Sequence, residues 1–395
     1  MTNTTLKPGW RRVKFGDVVR LSKGRSQDPL ADGIERYVGL EHLEPGDLRI
    51  RSWGNVADGV TFTSVFQPGQ VLFGKRRAYQ RKVAVADFSG VCSGDIYVLE
   101  TKDAQVLLPD LLPFICQTDA FFDHAVGTSA GSLSPRTNWS SLAEFELALP
   151  TSLTEQAALL NVLSAQQGSI DSISECKRLA GIALESFLTE VFEAVPDVAP
   201  LQSMCKPIVR GIDSPGPEID GGVPYVRIAE MTGPEGIRLA NLKRTSKEIA
   251  DGYPESRLDE GDIVVALRGV VGMPVRTPAE AAGANLSRGT ARVSVLDHYI
   301  PGYVYWALKS PRVRREVLRF ATGWKGEDLR EITLTELRSL SMPTVDKAMQ
   351  MQIAESAETL AQATVTLSGR AESARTLMKV FSEQVLEGES RVHGS

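Results

Sequence analysis

The chain has 395 residues, of which 42% are hydrophobic and 24% charged, and its net charge is −5. This length is more than twice the roughly 150 residues of one typical domain, and the composition excludes a disordered or fibrous chain. No apolar run reaches the roughly 18 residues of a membrane span, no apolar segment follows the amino end, and the four cysteines form no Cys-x-x-Cys pair, so we expect a cytoplasmic protein without membrane contact.

Residues 1–152 have the pattern of a mixed α/β (α+β) globular domain. Short runs rich in β-formers at residues 37–43, 69–74, 83–86 and 96–99 are separated by Gly and Pro turns, and a helical pattern covers residues 108–126. This segment balances 17 basic against 17 acidic residues, so its charge must be judged locally.

The most basic stretch of this first domain lies between two of the predicted strands. Five of its eight residues are basic, and an aromatic and an amide side chain lie between them: Lys75, Arg76, Arg77, Tyr79, Gln80, Arg81 and Lys82. Arginine and lysine neutralise phosphates, and Arg and Gln can also form bidentate hydrogen bonds with guanine and adenine. By itself, such a run is also compatible with a solvated or salt-bridged surface.

Residues 153–195 predict one long helix bounded by Pro150 and Pro196. Thr154 lies near the expected N-cap, and Glu155 and Gln156 follow in the first turn. Apolar residues recur in alternating steps of three and four, which is typical of a coiled-coil seam. The segment holds two basic and six acidic residues, so much of the chain's excess acid lies here.

Residues 196–345 predict a second α/β domain, with strands at residues 225–228, 262–267 and 291–296 and a helical stretch at 301–321. Its candidate nucleic-acid contacts are scattered: Lys243, Arg244, Arg268, Trp324 and Lys325. Arg312, Arg314, Arg315 and Arg319 could follow a phosphate backbone from one helix, although a water-facing helix explains them about as well.

Residues 346–390 predict a second long helix with the same three-and-four rhythm, followed by a short tail at 391–395. The helix and tail together, residues 346–395, again carry excess acid, with five basic and seven acidic residues. Each long helix would extend about 60 Å at 1.5 Å per residue.

The two halves of the chain repeat one another. Residues 36–43 match residues 224–231, residues 66–73 match 258–265, and residues 147–150 match 340–343, at offsets of 188, 192 and 193. Matching blocks in a fixed order indicate a duplicated unit of one domain plus one helix.

At this point the residues resemble a known family, the specificity (S) subunits of Type I restriction-modification systems. Residues 69–84, continuing to 90–94, resemble the signature of that family's first target recognition domain, and residues 147–159 resemble its domain-to-helix junction. The resemblance covers essentially the whole chain. The second half matches less sharply, because residues 268–272 carry fewer basic side chains than residues 75–82.

The resemblance implies a DNA-reading subunit that carries out no chemistry. Two target recognition domains in tandem would each read one part of a split, asymmetric double-stranded DNA sequence. The two long helices would pair as an antiparallel coiled coil, set the gap between the parts and dock two methyltransferase (M) subunits. Those subunits would bind S-adenosylmethionine and methylate adenine, translocase-nuclease (R) subunits would join for restriction, and this chain would need no cofactor of its own. The resemblance also favours DNA contact for residues 75–82.

Enzyme motifs are absent from the sequence: there is no Asn-Pro-Pro-aromatic methyltransferase motif and no phosphate-binding G-x-x-x-x-G-K-[ST] loop. The four histidines are isolated, and Glu175-Cys176-Lys177, although it has a nuclease-like spacing, lies within the predicted central helix. Two alternatives remain open at this stage. The chain could serve a different defence or modification system, or it could be a protein-binding scaffold.

Overall fold

The computed structural model describes residues 6–232, 236–323, 330–386 and 388. They form two compact units, the first comprising Met1–Ser174 and Gly369–Ser395 and the second comprising Glu175–Ser368. Both units are of mixed α/β type.

The first unit contains short strands and helices. Its strands are β1 Trp10–Lys14, β2 Val19–Leu21, β3 Arg36–Val38, β4 Gly54–Asn55, β5 Ser64–Phe66, β6 Val71–Gly74, β7 Val83–Val85, β8 Gly90–Cys92, β9 Ile96–Thr101 and β10 Glu146–Pro150. Its helices are α1 Phe15–Val18, α2 Leu112–Cys116, α3 Asp119–Gly127 and α4 Trp139–Ala143. A 41-residue helix, α5 Leu153–Glu193, begins in this unit and ends in the second.

Two four-stranded sheets build the first unit, in the orders β2-β9-β6-β7 and β4-β3-β8-β5, and β1 pairs with β10 beside them. The pairing of β3 with β8 is parallel, with Tyr37 opposite Val91. One apolar core combines residues of both sheets, including Phe66 of β5 and Leu72 of β6. A larger core contains Phe73 and Phe121.

The second unit has more strands than the sequence alone predicts. They are β11 Val198–Pro200, β12 Val209–Arg210, β13 Val223–Val226, β14 Lys243–Thr245, β15 Ile263–Ala266, β16 Pro274–Arg276, β17 Asn285–Leu286, β18 Thr290–Val293, β19 Thr322–Gly323, β20 Arg330–Glu331 and β21 Ser341–Pro343. The helices are α6 Lys247–Asp251, α7 Pro301–Lys309, α8 Pro311–Phe320 and α9 Leu334–Ser339, and a 40-residue helix, α10 Lys347–Leu386, passes from this unit into the first.

The sheets of the second unit repeat the strand order of the first. The order β12-β18-β15-β16 corresponds to β2-β9-β6-β7, and β14-β13-β17 corresponds to β4-β3-β8. Again the central pair is parallel, with Tyr225 opposite Asn285, and again the first and last strands, β11 and β21, pair with each other. The internal repeat seen in the sequence is therefore a repeat of topology.

A buried glutamine joins each long helix to its own unit. Gln156 is fully buried; its amide donates to the carbonyl oxygens of Val106 and Pro150, both at 2.9 Å, and accepts from the Leu108 amide at 3.0 Å. Gln350 occupies the matching position on α10: it donates to Val345 at 2.9 Å and accepts from the Ile300 amide at 3.0 Å. These bonds replace the lost hydration of both amides and of otherwise orphaned backbone groups.

Each unit also buries part of both long helices. The core of the first unit contains Leu163 and Ile170 of α5 with Met378 of α10. The core of the second contains Phe192 of α5 with Ile353 of α10, among others. The apolar rhythm of the sequence therefore identifies Leu163, Ile170, Ile353 and Met378 as buried, whereas Phe192 is not one of its positions.

Several local predictions are wrong for identifiable reasons. The helical stretch at 108–126 breaks at Thr118, whose hydroxyl caps α3, and the stretch at 301–321 breaks at Ser310, which caps α8 just before Pro311. The strand expected over residues 37–43 ends at Val38, because His42 Nδ1 accepts from the Gly39 amide and closes a turn. Helix α5 begins at Leu153, so Thr154 lies inside it rather than at the cap.

Candidate nucleic-acid interface

The basic segment of residues 75–82 is the loop between β6 and β7. The Gly74 amide donates to the carbonyl of Lys82 at 2.9 Å and closes the loop at its base. A single turn of 3₁₀ helix, Ala78–Gln80, forms the centre, and Arg77 and Arg81 flank it with φ values of 53° and 56°. Left-handed backbone is uncommon outside glycine and concentrates at functional sites, so this loop is held in one demanding conformation.

Three of the five basic side chains are used inside the unit. Arg76 pairs with Asp95 at 3.1 Å and donates to the hydroxyl of Ser134 at 3.0 Å. Arg81 pairs with Asp119 at 2.6 Å, and Lys82 Nζ donates to the carbonyl of Leu40 at 2.7 Å. These contacts position the loop, so the three residues have structural partners in addition to any ligand.

The remaining side chains of the loop are more available. No ion pair is described for Arg77 in the part of the chain that the structure describes, and Tyr79 is 55% exposed. Gln80 is half-buried. Lys75 lies with Nζ 4.5 Å from the centre of the Tyr97 ring, and burial lowers its pKa. Tyr79 is thus the most exposed of these side chains, whereas Arg77 and Gln80 are half-buried.

A second loop, absent from the sequence-based prediction, packs against the first. Ala130 and Arg136 exchange backbone hydrogen bonds of 3.0 Å and close a hairpin over residues 130–136. The Arg77 amide donates to the carbonyl of Pro135 at 2.7 Å, and the Thr137 amide donates to that of Lys75 at 3.0 Å. The paired loops place Arg136 beside the basic run, a proximity that no spacing in the sequence indicates.

Asp95 holds these cations together. Its carboxylate accepts from Arg136 Nε at 2.7 Å and from Arg76 at 3.1 Å. Burial favours a raised pKa for Asp95, but the hydrogen bonds from Arg136 and Arg76 outweigh it, so the pKa lies below its ordinary value. Asp95 therefore stays ionised and fixes two guanidinium groups at neutral pH.

The corresponding loop of the second unit follows β15. The backbone of Arg268 forms an isolated β-bridge with that of Glu331, as the backbone of Arg76 does with that of Arg136. The Gly269 amide donates to the carbonyl of Arg330, as the Arg77 amide does to the carbonyl of Pro135. Arg268 is paired with Glu331 at 2.8 Å. The loop lines a groove of about 350 Å³, whose lining includes three basic residues: Lys309, Arg314 and Arg330. The sequence-based prediction missed Lys309 and Arg330.

Comparisons with known proteins agree on one family. No protein-family model matches the chain. It is 28% identical over 176 residues to the specificity subunit of the Type I restriction enzyme EcoDI of Escherichia coli, covering 42% of this chain and 36% of that protein. It is 25% identical over 156 residues to the EcoBI specificity subunit, covering 39% and 32%. The chain thus aligns with about a third of the length of these relatives.

The fold comparison extends over the whole chain. The crystal structure of a Type I restriction-modification system S subunit from M. genitalium superposes with a TM-score of 0.57 and 12% sequence identity. The alignment covers 98% of this chain and 97% of that one. The chain therefore has the fold of a Type I specificity subunit.

Two of the other sequence-predicted contacts lie on a different strand from the one that precedes Arg268. Lys243 and Arg244 lie on β14, in a different sheet from β15; Lys243 is 3.4 Å from Glu218, and Arg244 donates to the carbonyl of Gly222 at 2.7 Å. Trp324 and Lys325 lie outside the described residues.

The arginines of α8 fall into two groups by their surroundings. Arg312 donates to the carbonyl oxygens of Phe192 at 2.7 Å and Val195 at 2.5 Å, and Arg315 pairs with Glu193. These contacts satisfy the carboxyl end of α5, where cations are favourable. Arg312 and Arg315 thus have partners inside the unit, whereas Arg314 lines the groove, and contact of these arginines with a phosphate backbone stays a prediction.

In the described ranges no group of three His, Cys, Asp or Glu side chains converges to form a candidate metal site. Glu175 and Cys176 lie on α5, as the sequence predicts, rather than on a strand hairpin. Among the same residues, no helix is long and apolar enough to cross a membrane.

Proposed function

We propose that this chain is the sequence-reading component of a Type I restriction-modification complex, with each unit acting as a target recognition domain for one half of a split, asymmetric DNA sequence. The observation that carries the proposal is the duplicated pairing of a loop with a hairpin. In both units the backbone of an arginine that follows a central strand, β6 or β15, forms a β-bridge with a second segment, Arg76 with Arg136 and Arg268 with Glu331 of β20. Double-stranded DNA offers phosphates for these cations and base edges for the side chains between them.

The net charge of −5 does not oppose DNA binding, because the charge is unevenly distributed. The excess acid lies in the segments of the two long helices, whereas Arg77 and Arg136 lie on one pair of loops in the first unit. A local positive surface is enough to neutralise phosphates and release counterions.

In this proposal the long helices form an antiparallel coiled coil that sets the gap between the two half-sequences. Contacts inside each unit support this arrangement. The beginning of α5 shares a core with the end of α10 in the first unit, as Leu163 and Met378 illustrate. In the second unit the end of α5 shares a core with the beginning of α10, as Phe192 and Ile353 illustrate. The remaining helix surface would dock two methyltransferase subunits, with translocase-nuclease subunits joining for restriction.

The chain itself would carry out no chemistry and bind no cofactor, since S-adenosylmethionine belongs to the methyltransferase subunits. Base readout without catalysis requires only fixed donors, apolar contacts and phosphate anchors. The paired loops of the first unit and the groove beside the Arg268 loop of the second unit offer groups of these types.

The test is long-read methylome sequencing of a modification-free host that expresses this chain with its neighbouring methyltransferase gene, compared with the methyltransferase alone. We expect a new split adenine motif only when this chain is present. Co-purification of the two proteins without any new mark would favour another defence or modification system. If there were neither mark nor complex, the proposal would fail in favour of a protein-binding scaffold.

A further inference from the structure

The hairpin of residues 130–136 carries the most exposed large apolar side chain in the described part of the chain. Leu133 is 90% exposed, whereas the next such residue, Leu377, is 69% exposed. A single exposed leucine needs no explanation on an ordinary surface. Leu133 needs one because of what holds it there.

The tip is braced rather than loose. Its two sides are joined by the backbone bonds between Ala130 and Arg136, and its far side is held by Arg76, which donates to Ser134. The Arg77 amide fixes Pro135. A rigid loop loses little conformational freedom on binding, so the side chain at its tip is already ordered for a partner.

One cation lies on the same hairpin as the leucine, and another lies on the adjoining loop. Arg136 lies at the base of the hairpin with a half-exposed side chain, and Arg77 stands on the adjoining loop. An apolar protein partner would have to bury these cations at a cost in desolvation free energy, whereas DNA combines a phosphate backbone with apolar methyl groups and base faces inside its grooves.

We propose that Leu133 is a specificity-determining residue that enters a groove of the DNA and makes an apolar contact with the base pairs read by the first unit. The flanking arginines contact the phosphates on either side and fix the depth of the tip. This inference rests on the proposed function and adds to it the residue by which one half-sequence is read.

Selection of bound sequences from a random duplex library by the full-length chain, alone and together with its methyltransferase subunit, tests the proposal. In Leu133→Ala and Leu133→Ser, we expect discrimination to fall about fivefold at one or two adjacent base pairs of one half-sequence, the size typical of one lost base contact. The other half-sequence, read by the second unit, is the internal control. Leu377→Ala is the matched variant, since it removes an exposed leucine from α10, and both half-sequences should survive it.

The outcomes separate the inference from the proposed function. If the unaltered chain selects no sequence, the proposed function fails. If it selects a split sequence and both Leu133 variants select the same one with equal discrimination, Leu133 does not read bases and only the inference fails. Unchanged sequences with weaker retention of a methyltransferase subunit would also overturn it, because the tip would then dock protein.

Discussion

The loop after β6 and the loop after β15 occupy the same place in two copies of one fold, yet they differ in chemistry. The first carries five basic residues and packs against a braced hairpin, whereas the second, Gly269–Met273, is apolar and borders a groove whose cations come from α7, α8 and β20. The buried framework is repeated because its strand pairing and its glutamine contacts allow few alternatives. Exposed loops face no such constraint, so they can diverge with the sequence that each unit reads.

The largest expected effect concerns the shared framework. Gln156→Leu leaves the Leu108 amide and two carbonyl groups without partners, and should lower the free energy of unfolding by about 2–4 kcal/mol. Gln350→Leu orphans one amide and one carbonyl, and should cost about 1–3 kcal/mol. Urea unfolding measures the totals, and amide hydrogen exchange at Leu108 and at Ile300 assigns each loss to its unit.

Gln352→Leu is the matched control, because Gln352 is exposed on α10 and its replacement should cost little. Equal losses for the buried and the exposed glutamine would show that the two junctions are not the duplicated anchors described above.

The next prediction tests the charge difference between the loops. Arg77→Asn removes a cation that has no described ion pair, and asparagine tolerates the left-handed backbone of this position. Binding of the full chain to its target duplex should lose about 0.9 from the slope of log affinity against log salt. Arg20→Gln removes the same charge at the other end of β9, where Arg20 pairs with Glu100, and should leave the slope unchanged. Equal changes in both variants would point to net charge rather than a phosphate contact.

The smallest expected effects concern the carboxylates that pair with the loop arginines, Asp95 in the first unit and Glu331 in the second. Asp95 holds two arginines and has a lowered pKa, so its contribution to stability is present above the unfolded-state pKa of about 4 and is lost as the pH falls through the lower folded value. Asp95→Asn should cost about 1 kcal/mol at pH 7, since its partners are partly exposed. In urea titrations the difference in unfolding free energy between Asp95→Asn and the unaltered chain should disappear as the pH is lowered from about 5 to about 2.

Glu331 supplies the comparison in the second unit. It is half-exposed and pairs with Arg268, so Glu331→Gln should cost less than Asp95→Asn at pH 7. A larger loss of unfolding free energy in Glu331→Gln than in Asp95→Asn would contradict the inference that the loop of the first unit is the more firmly held.

The sequence predicts the fold better than the site, for physical reasons. Repeated blocks and the apolar rhythm of the long helices report burial, which governs residue type over long stretches, and they identify the duplication and the buried helix faces. The contacts of Arg76 with Ser134 and of Arg312 with Phe192 join residues 58 and 120 positions apart. Residue type alone does not distinguish a cation that braces a loop or caps a helix from one that binds phosphate, so Arg81 and Arg77 look alike until their partners are seen.

The first unit is assembled from two separate stretches of chain, and this affects the order in which the protein can fold during synthesis. The second unit is continuous from Glu175 to Ser368, so all of it leaves the ribosome before residues 369–386 do. Until those residues appear, Leu163 and Ile170 lack Met378 and the rest of the α10 surface that completes their core. The unit translated first is therefore the one finished last, and the nascent chain must keep an apolar helix face open while its second half folds.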